Sequence, residues 1–248
     1  MGSAEDGRHL VKISLLEFGA TLPKGGSFTG GNEQADALLR SDPFAFLMAA
    51  CTDRLSPAEA VWETPWRLKQ RLGELSPEKL SLMTPGQVEA ILRELPRKPR
   101  FPYQTAKTIV SLSKLVSLEL GGKAELLWKD RTVKATLRLL QRVYGVGPGI
   151  AAMTVRILID EGQYGPPSGQ LGDIDVKADS QLWKVFHRAG LAAAPDEKTC
   201  VEAARALYPE FPAKLDWPAW EIGRKHCHES APACRQCPIG SVCPKIGT

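Results

Sequence analysis

Four of the six cysteines in this 248-residue sequence are concentrated near its C-terminal end. They fall within 17 residues at the spacing Cys-x6-Cys-x2-Cys-x5-Cys, and they are Cys227, Cys234, Cys237 and Cys243. Four thiolates on a short irregular segment can ligate a [4Fe–4S] cluster. Structural zinc usually takes its thiolates in two close pairs, and here only Cys234 and Cys237 form such a pair. The spacing therefore favours a [4Fe–4S] cluster, with zinc as the alternative.

A glycine-rich turn separates a basic helical segment from an apolar one, in the stretch Tyr144-Gly145-Val146-Gly147-Pro148-Gly149. Glycine permits positive φ and close approach of another molecule to the backbone. The amides of such a turn and of the following helix N-terminus can bind an anion. This pattern predicts a helix-hairpin-helix over about residues 131–160, with Gly145, Val146, Gly147 and Gly149 at a DNA phosphate. The alternative is an ordinary glycine cap between two packed helices.

The basic residues are unevenly distributed in a chain whose formal net charge is +4. Between Lys123 and Asp160 there are seven Lys or Arg residues against three acidic ones. Such a patch can contact a phosphate backbone. Taken alone, however, a charge cluster is more typical of a solvated helix face.

The remaining pattern is that of an almost entirely helical protein. Capping signals predict helix starts at Ser56-Pro57, Thr64-Pro65, Ser76-Pro77 and Thr84-Pro85. Apolar residues at helical spacing predict two buried faces, one formed by Leu47, Met48, Cys51 and Leu55 and the other by Ile109, Leu112, Leu115 and Val116. Three stretches rich in Gly, Pro, Ser or Thr predict loops, at residues 18–32, 95–102 and 161–173.

The hairpin followed by this cysteine spacing resembles the endonuclease III family of helix-hairpin-helix DNA glycosylases. The resemblance extends from about Pro43 to Pro244. It implies an all-α, two-domain fold, with DNA lying across the cleft between the domains. We expect an N-terminal segment over residues 1–32 that packs with the cluster domain. A central helical bundle would cover residues 33–165, and the C-terminal helices with the cluster loop (227–243) would cover residues 166–248.

The resemblance also implies a catalytic aspartate at the start of the helix that follows the hairpin segment. Asp179 fits that position better, and Asp175 is the second candidate. Both residues could instead be simple helix N-caps, since Asp caps helices well. Loss of a base leaves positive charge on the sugar, which a carboxylate stabilises while it orients or deprotonates the attacking water. The target base must first be flipped out of the duplex.

This sequence departs from the family in the hairpin turn, near residues 50–54, and in the long Gly/Pro loop over residues 161–173. Bifunctional members have a Lys in the hairpin turn, where this chain has Gly149, so we expect a monofunctional DNA N-glycosylase that leaves an intact abasic site. The alternatives are a glycosylase/lyase that uses Lys177 or another Lys, and a non-catalytic module that binds lesions or abasic DNA. Family members often have a Gln that fills the gap left by the flipped base. Arg54 is our candidate for that role here, and contact with a phosphate or with Asp53 is the alternative.

Further site residues are predicted around these positions. Tyr144 and Lys177 are candidates for the lesion pocket, and Arg235 and Lys245 in the cluster loop are candidates for phosphate contacts. The expected partner is double-stranded DNA containing a damaged or mispaired base, and we expect a monomer that does not bind membranes. The N-terminus lacks a basic-then-apolar signal pattern, so we expect a cytoplasmic protein, associated with the nucleoid if the source is prokaryotic.

Overall fold

The computed structural model describes residues 2–23, 26–54 and 57–248. Among these residues there are twelve α-helices and no β-strand, as the sequence predicts. In chain order the helices are α1 (Gly2–Thr21), α2 (Glu33–Ser41), α3 (Pro43–Thr52), α4 (Ala58–Leu72), α5 (Pro77–Ser81), α6 (Pro85–Glu94), α7 (Pro102–Lys114), α8 (Val133–Leu140), α9 (Pro148–Asp160), α10 (Ser180–Arg188), α11 (Glu197–Leu207) and α12 (Asp216–Lys225). A π-helical turn, Leu115–Glu119, continues α7.

The contacts divide the chain into two compact units. One unit comprises Gly25–Gly165 and contains α2 to α9. The other joins Met1–Lys24 to Pro166–Thr248 and contains α1 and α10 to α12. The sequence-based division placed its two boundaries after residues 32 and 165.

Helix α3 forms the centre of the first unit. It contacts α2, α4, α7 and α9, and every residue from Phe44 to Thr52 is buried. The predicted single buried face on α3 was therefore too narrow, because helices on several sides remove the whole helix from water. Leu55, the last residue of that predicted face, lies outside the described residues. The second predicted face was correct, since Ile109, Leu112, Leu115 and Val116 are all buried.

The helix starts follow local capping chemistry in most cases. Thr84 and Gln87 form a capping box at α6, and the Ser76 hydroxyl accepts a hydrogen bond from the Lys79 amide at α5. The start predicted at Thr64 was wrong, because Thr64 and Pro65 lie inside α4. The Thr64 hydroxyl donates to the Ala60 carbonyl there instead of capping a helix. Ser56 lies outside the described residues.

The second unit has its own apolar core. Leu15 of α1, Leu182 and Phe186 of α10 and Ile222 of α12 are almost fully buried in one cluster, and each such side chain stabilises the fold by about 1.5–3 kcal/mol. A Cβ on Gly223 would lie 2.7 Å from the Gln181 carbonyl oxygen, so α10 and α12 pack together closely because this residue is glycine.

Two of the predicted loops begin or end within helices. Helix α1 extends to Thr21, into the stretch that was predicted as a loop from residue 18, and α7 begins at Pro102, the last residue of the second predicted loop. Proline is favoured at a first helical position, where no amide hydrogen is needed. Throughout the described ranges, no helix combines the length and apolar character needed to cross a membrane.

Candidate active site, hairpin and cluster loop

The predicted hairpin is the link between α8 and α9. Gly145 has a φ of 78°, and Gly147 caps α9 in extended conformation, with a φ of −89° and a ψ of 179°. The buried side chains of Val143 and Val146 fix the turn to the core. Pro148 is the first residue of α9, so the next amides, which have no acceptor within the helix, belong to Gly149 and Ile150. The turn therefore has a backbone suited to an anion.

Arg54 binds this turn from the C-terminal end of α3. One terminal nitrogen of its guanidinium, Nη1, donates to the Gly145 carbonyl at 2.7 Å. The other, Nη2, donates to the Thr108 hydroxyl at 2.6 Å and to the Gln104 carbonyl at 3.2 Å. Burial lowers the pKa of Arg54 from its ordinary value, and nearby Tyr144 opposes that shift. Sequence reasoning placed Arg54 near the DNA but missed these contacts with the hairpin.

Tyr144 is an exposed aromatic residue beside the same turn. The residue is 42% exposed, so it is not part of the buried core. The Lys107 ammonium lies 3.9 Å from the centroid of its ring, and the Arg54 guanidinium carbon lies 5.8 Å from it. The phenol ring is thus flanked by two cations, an arrangement that favours a negatively charged partner nearby.

The two candidate aspartates lie in the second unit and are held differently. Asp179 is the N-cap of α10, and its Oδ1 accepts hydrogen bonds from the Gln181 amide at 2.9 Å and the Leu182 amide at 3.3 Å. No other described residue donates to its second oxygen, Oδ2. By contrast, both oxygens of Asp175 accept hydrogen bonds from Arg205 at 2.7 Å. Asp179 is therefore the carboxylate with an oxygen available for a ligand.

Lys177 lies between these two aspartates in sequence. It is half-buried, and its backbone amide donates to the buried Asp216 carboxylate at 2.8 Å. Trp183, four residues after Asp179, is half-buried against the apolar core of this unit. Trp183 is therefore part of the core packing of this unit.

All four clustered cysteines line one small cavity, together with Ile222 and Ile239. Burial raises the pKa of Cys237 and of Cys243, and the neighbouring thiols Cys227 and Cys234 contribute to both increases, so the four sulfurs are close enough to interact. A Cβ on Gly240 would clash with the carbonyl oxygens of Cys234 and Cys237. The loop can therefore wrap around the cavity only because residue 240 is glycine.

The thiols of this cavity are candidate metal ligands. In the described part of the chain, no group of three or more Cys, His, Asp or Glu side chains converges closely enough to hold a single metal ion. The four thiols that line the cavity are the donor type that both zinc and iron–sulfur clusters take from proteins.

Arg188, at the end of α10, is a residue of this region that sequence reasoning missed. Its guanidinium donates to the carbonyl oxygens of His228 and Glu229 at 2.7 and 3.0 Å and lies 3.5 Å from the Cys227 sulfur. The helix that begins at Asp179 is thereby joined to the cysteine loop at its other end. The two predicted phosphate contacts of the loop, Arg235 and Lys245, are both exposed.

Comparison with known proteins finds a curated relative and several similar solved structures. No protein-family model matches the sequence. The chain is 26% identical to Endonuclease III of Bacillus subtilis (strain 168) over 143 residues, which are 56% of this chain and 54% of that protein. The chain thus spans about half the length of the curated relative that it matches.

Solved structures resemble the chain over nearly its whole length. A trapped endonuclease III–DNA covalent intermediate and a non-covalent endonuclease III–DNA complex match with TM-scores of 0.67 and 0.66, each at 16% identity over 99% of this chain and 97% of the other. A thermostable thymine-DNA glycosylase matches with a TM-score of 0.61, at 17% identity over 96% of each chain. The predicted all-α fold and the predicted resemblance to the endonuclease III-like helix-hairpin-helix family are confirmed.

Proposed function

We propose that this chain, which is related in sequence and in fold to endonuclease III, is a base-excision-repair DNA N-glycosylase. The observation that carries the proposal is the hairpin, in which a turn with a positive-φ glycine leads directly into the amide-rich N-terminus of α9. This geometry suits a phosphate of duplex DNA. The Lys107 ammonium, 3.9 Å from the centroid of the Tyr144 ring, adds a positive field of the sign that DNA requires.

Asp179 is the proposed catalytic carboxylate. Its Oδ1 is fixed by two backbone amides, while its Oδ2 is left to face the sugar or the attacking water. Departure of the base creates positive charge at the sugar, and a fixed carboxylate stabilises that charge more in the transition state than in the ground state. Asp175 is the weaker candidate, because its pair with Arg205 would have to break first.

The reaction that we propose is hydrolysis without strand cleavage. In the related family the lyase reaction needs an amine in the hairpin turn, and residue 149 of this chain is glycine. Water then replaces the base at C1′, and the products are the free base and an abasic strand. Lys177 is the alternative amine for a glycosylase/lyase, because it is half-buried and lies two residues before Asp179 in the sequence.

Cys227, Cys234, Cys237 and Cys243 are the proposed ligands of a [4Fe–4S] cluster. Their shared cavity and the close turn at Gly240 support this assignment. Such a cluster would hold the loop in one conformation and present Arg235 and Lys245 to phosphates. Hydrolysis of a glycosidic bond transfers no electron, so the proposed role of the cluster is structural.

A panel of end-labelled duplexes tests the proposal. The duplexes carry uracil, thymine opposite guanine, hypoxanthine, an alkylated purine or an oxidised base, and each reaction is divided into portions with and without hot alkali. We expect strand breaks only after alkali, on at least one lesion. Breaks without alkali, together with an adduct trapped by borohydride, would identify a lyase. Tight binding without breaks in either portion would identify a non-catalytic module.

A further inference from the structure

The hairpin turn is attached to α7 and α3 through its carbonyl groups. The fully buried Thr108 hydroxyl lies 2.9 Å from the Tyr144 carbonyl oxygen and 3.1 Å from the Gln104 carbonyl oxygen, so the nearer acceptor for its single proton is Tyr144. The Ser111 hydroxyl accepts a hydrogen bond from the Tyr144 amide at 2.9 Å. Arg54 then holds the next carbonyl, that of Gly145, at 2.7 Å. Three consecutive peptide groups, from 143–144 to 145–146, are thus fixed by side chains that are distant in sequence.

Fixing these carbonyls determines where the amides of the turn point. The C=O and N–H groups of a trans peptide point in opposite directions. With the Tyr144 carbonyl held by Thr108, the Gly145 amide must point away from α7. Among the described residues, no backbone carbonyl accepts a hydrogen bond from that amide. The turn therefore presents a free donor, and Thr108 and Arg54 determine its direction.

The space around Gly145 shows how closely Arg54 follows the turn. A Cβ on Gly145 would clash with the Nη1, Cζ and Nη2 atoms of Arg54. The guanidinium thus occupies the space that any other residue type at position 145 would fill. Both terminal nitrogens of Arg54 donate to acceptors within the protein, on Gly145, Gln104 and Thr108.

We infer that Arg54 is a positioning residue that sets the conformation of the hairpin for DNA, and that it neither contacts a phosphate nor fills the gap left by a flipped base. The inference rests on the proposed function for its link to DNA. The attachment of the turn to α3 and α7 is independent of that function. Arg54 acts through the Gly145 carbonyl, and the groups that meet the phosphate are the amides of the turn.

Two measurements on the full chain separate positioning from direct contact. The first is the affinity for a duplex containing a tetrahydrofuran abasic site, measured by fluorescence anisotropy over a series of KCl concentrations. The second is amide hydrogen exchange of peptides covering residues 143–150 without DNA. The variants are Arg54→Met, Arg54→Lys and Thr108→Val. Arg40→Met is the matched control, because Arg40 also binds a carbonyl, that of Gly26, and also packs on an aromatic ring, that of Phe28.

Positioning predicts a specific combination of results. Arg54→Met weakens DNA binding about tenfold, the effect expected for loss of hydrogen bonds from a charged group, and accelerates exchange in 143–150. The slope of log Kobs against log salt stays unchanged, because no phosphate contact is lost. Thr108→Val also weakens DNA binding and accelerates exchange in 143–150, by a smaller factor, although this substitution removes no charge. Arg54→Lys restores little, because one ammonium cannot match three acceptors held by a planar guanidinium. Arg40→Met leaves both measurements of the hairpin unchanged.

Other results would overturn the inference. Arg54 would be a phosphate contact if Arg54→Met reduced the steepness of log Kobs against log salt by about 0.9 and left amide exchange in 143–150 unchanged. In that case Thr108→Val would change neither DNA affinity nor exchange. Unchanged exchange and unchanged affinity in Arg54→Met would show that the contacts have no role. If Arg54→Met does not fold, Thr108→Val decides by the same criteria. If the wild-type protein does not bind the abasic duplex, the proposed function fails, whereas the exchange data still decide whether Arg54 orders the turn.

Discussion

Replacement of Asp179 by Asn separates the two roles that this residue combines. The side chain caps α10 through Oδ1, and it carries the negative charge proposed for catalysis. Asn keeps an acceptor oxygen at the same position and is about as good an N-cap as Asp. What is lost is the charge near the helix N-terminus, which contributes about 0.3–1 kcal/mol to stability. For a chain of this size, that loss lowers Tm by about 1–4 °C.

The expected effect of the same change on the reaction is much larger. Removing one fixed group that stabilises transition-state charge costs about 2.7–4 kcal/mol, or about 10²–10³ in rate. The assay is a single-turnover reaction on a lesion duplex from which the wild-type protein removes the base, followed by treatment with alkali. Affinity for an abasic-site duplex should change far less than the rate, since the hairpin lies in the other unit.

Two controls make this result interpretable. Asp196 caps α11 of the same unit and accepts a hydrogen bond from the Thr199 amide at 2.9 Å. Asp196→Asn should give the same small change in Tm and leave the rate at the wild-type level. Asp175→Asn removes an ion pair with the largely exposed Arg205, which contributes about 0–1 kcal/mol, and should change the rate little. A near-normal rate for Asp179→Asn, or a large loss for Asp175→Asn, would refute the assignment.

Three further predictions concern the hairpin, the cluster and a buried thiol. Gly149→Lys should create a protein–DNA adduct that borohydride traps on lesion DNA, whereas the wild type should give none; a trapped wild-type adduct would contradict the monofunctional reading. Gly240→Ala should reduce absorbance at about 400 nm and iron content per chain, because a Cβ there meets loop carbonyls, and normal iron content would disprove that constraint. Burial raises the pKa of Cys51 to about 12. Its thiol therefore stays protonated in the folded chain, whereas the thiol of the unfolded chain ionises above a pH of about 8.5. The free energy of unfolding therefore falls as the pH rises from about 8.5 towards 12. Cys51→Ala should lose less stability than the wild type between pH 8.5 and 10.5 in urea unfolding, and equal losses would contradict the burial argument.

The sequence was sufficient to predict structural features that one short segment determines. Thr84 and Gln87 cap α6 through side chains three residues apart, and the same local logic predicted Ser76. The glycine turn and the cysteine spacing are also local patterns, and together they indicated the family. The prediction failed at Thr64, because the same Thr-Pro pattern is compatible with a helix start and with a helix interior whose neighbours compensate for the missing hydrogen bond.

Contacts between distant segments could not be predicted in this way. Arg54 meets Gly145, 91 residues further along the chain, and Arg188 meets the cysteine loop 40 and 41 residues away. Nothing in the spacing of these arginines distinguishes them from the solvated cations elsewhere in the chain. The complete burial of α3 was missed for a related reason, since it depends on which helices surround it. Long, flexible side chains find their partners only once the fold exists.

We propose that the chain removes a base by hydrolysis and leaves the strand intact. Mass spectrometry of a single-turnover reaction on a lesion duplex tests it most directly, because it identifies both products without alkali. The predicted products are the intact free base and a full-length strand. The mass of that strand should equal the starting mass minus the free base plus one water. An unchanged duplex that remains bound to the protein would contradict the claim of glycosylase activity. A strand cut at the lesion before any alkali would contradict the claim that Gly149 leaves the enzyme monofunctional.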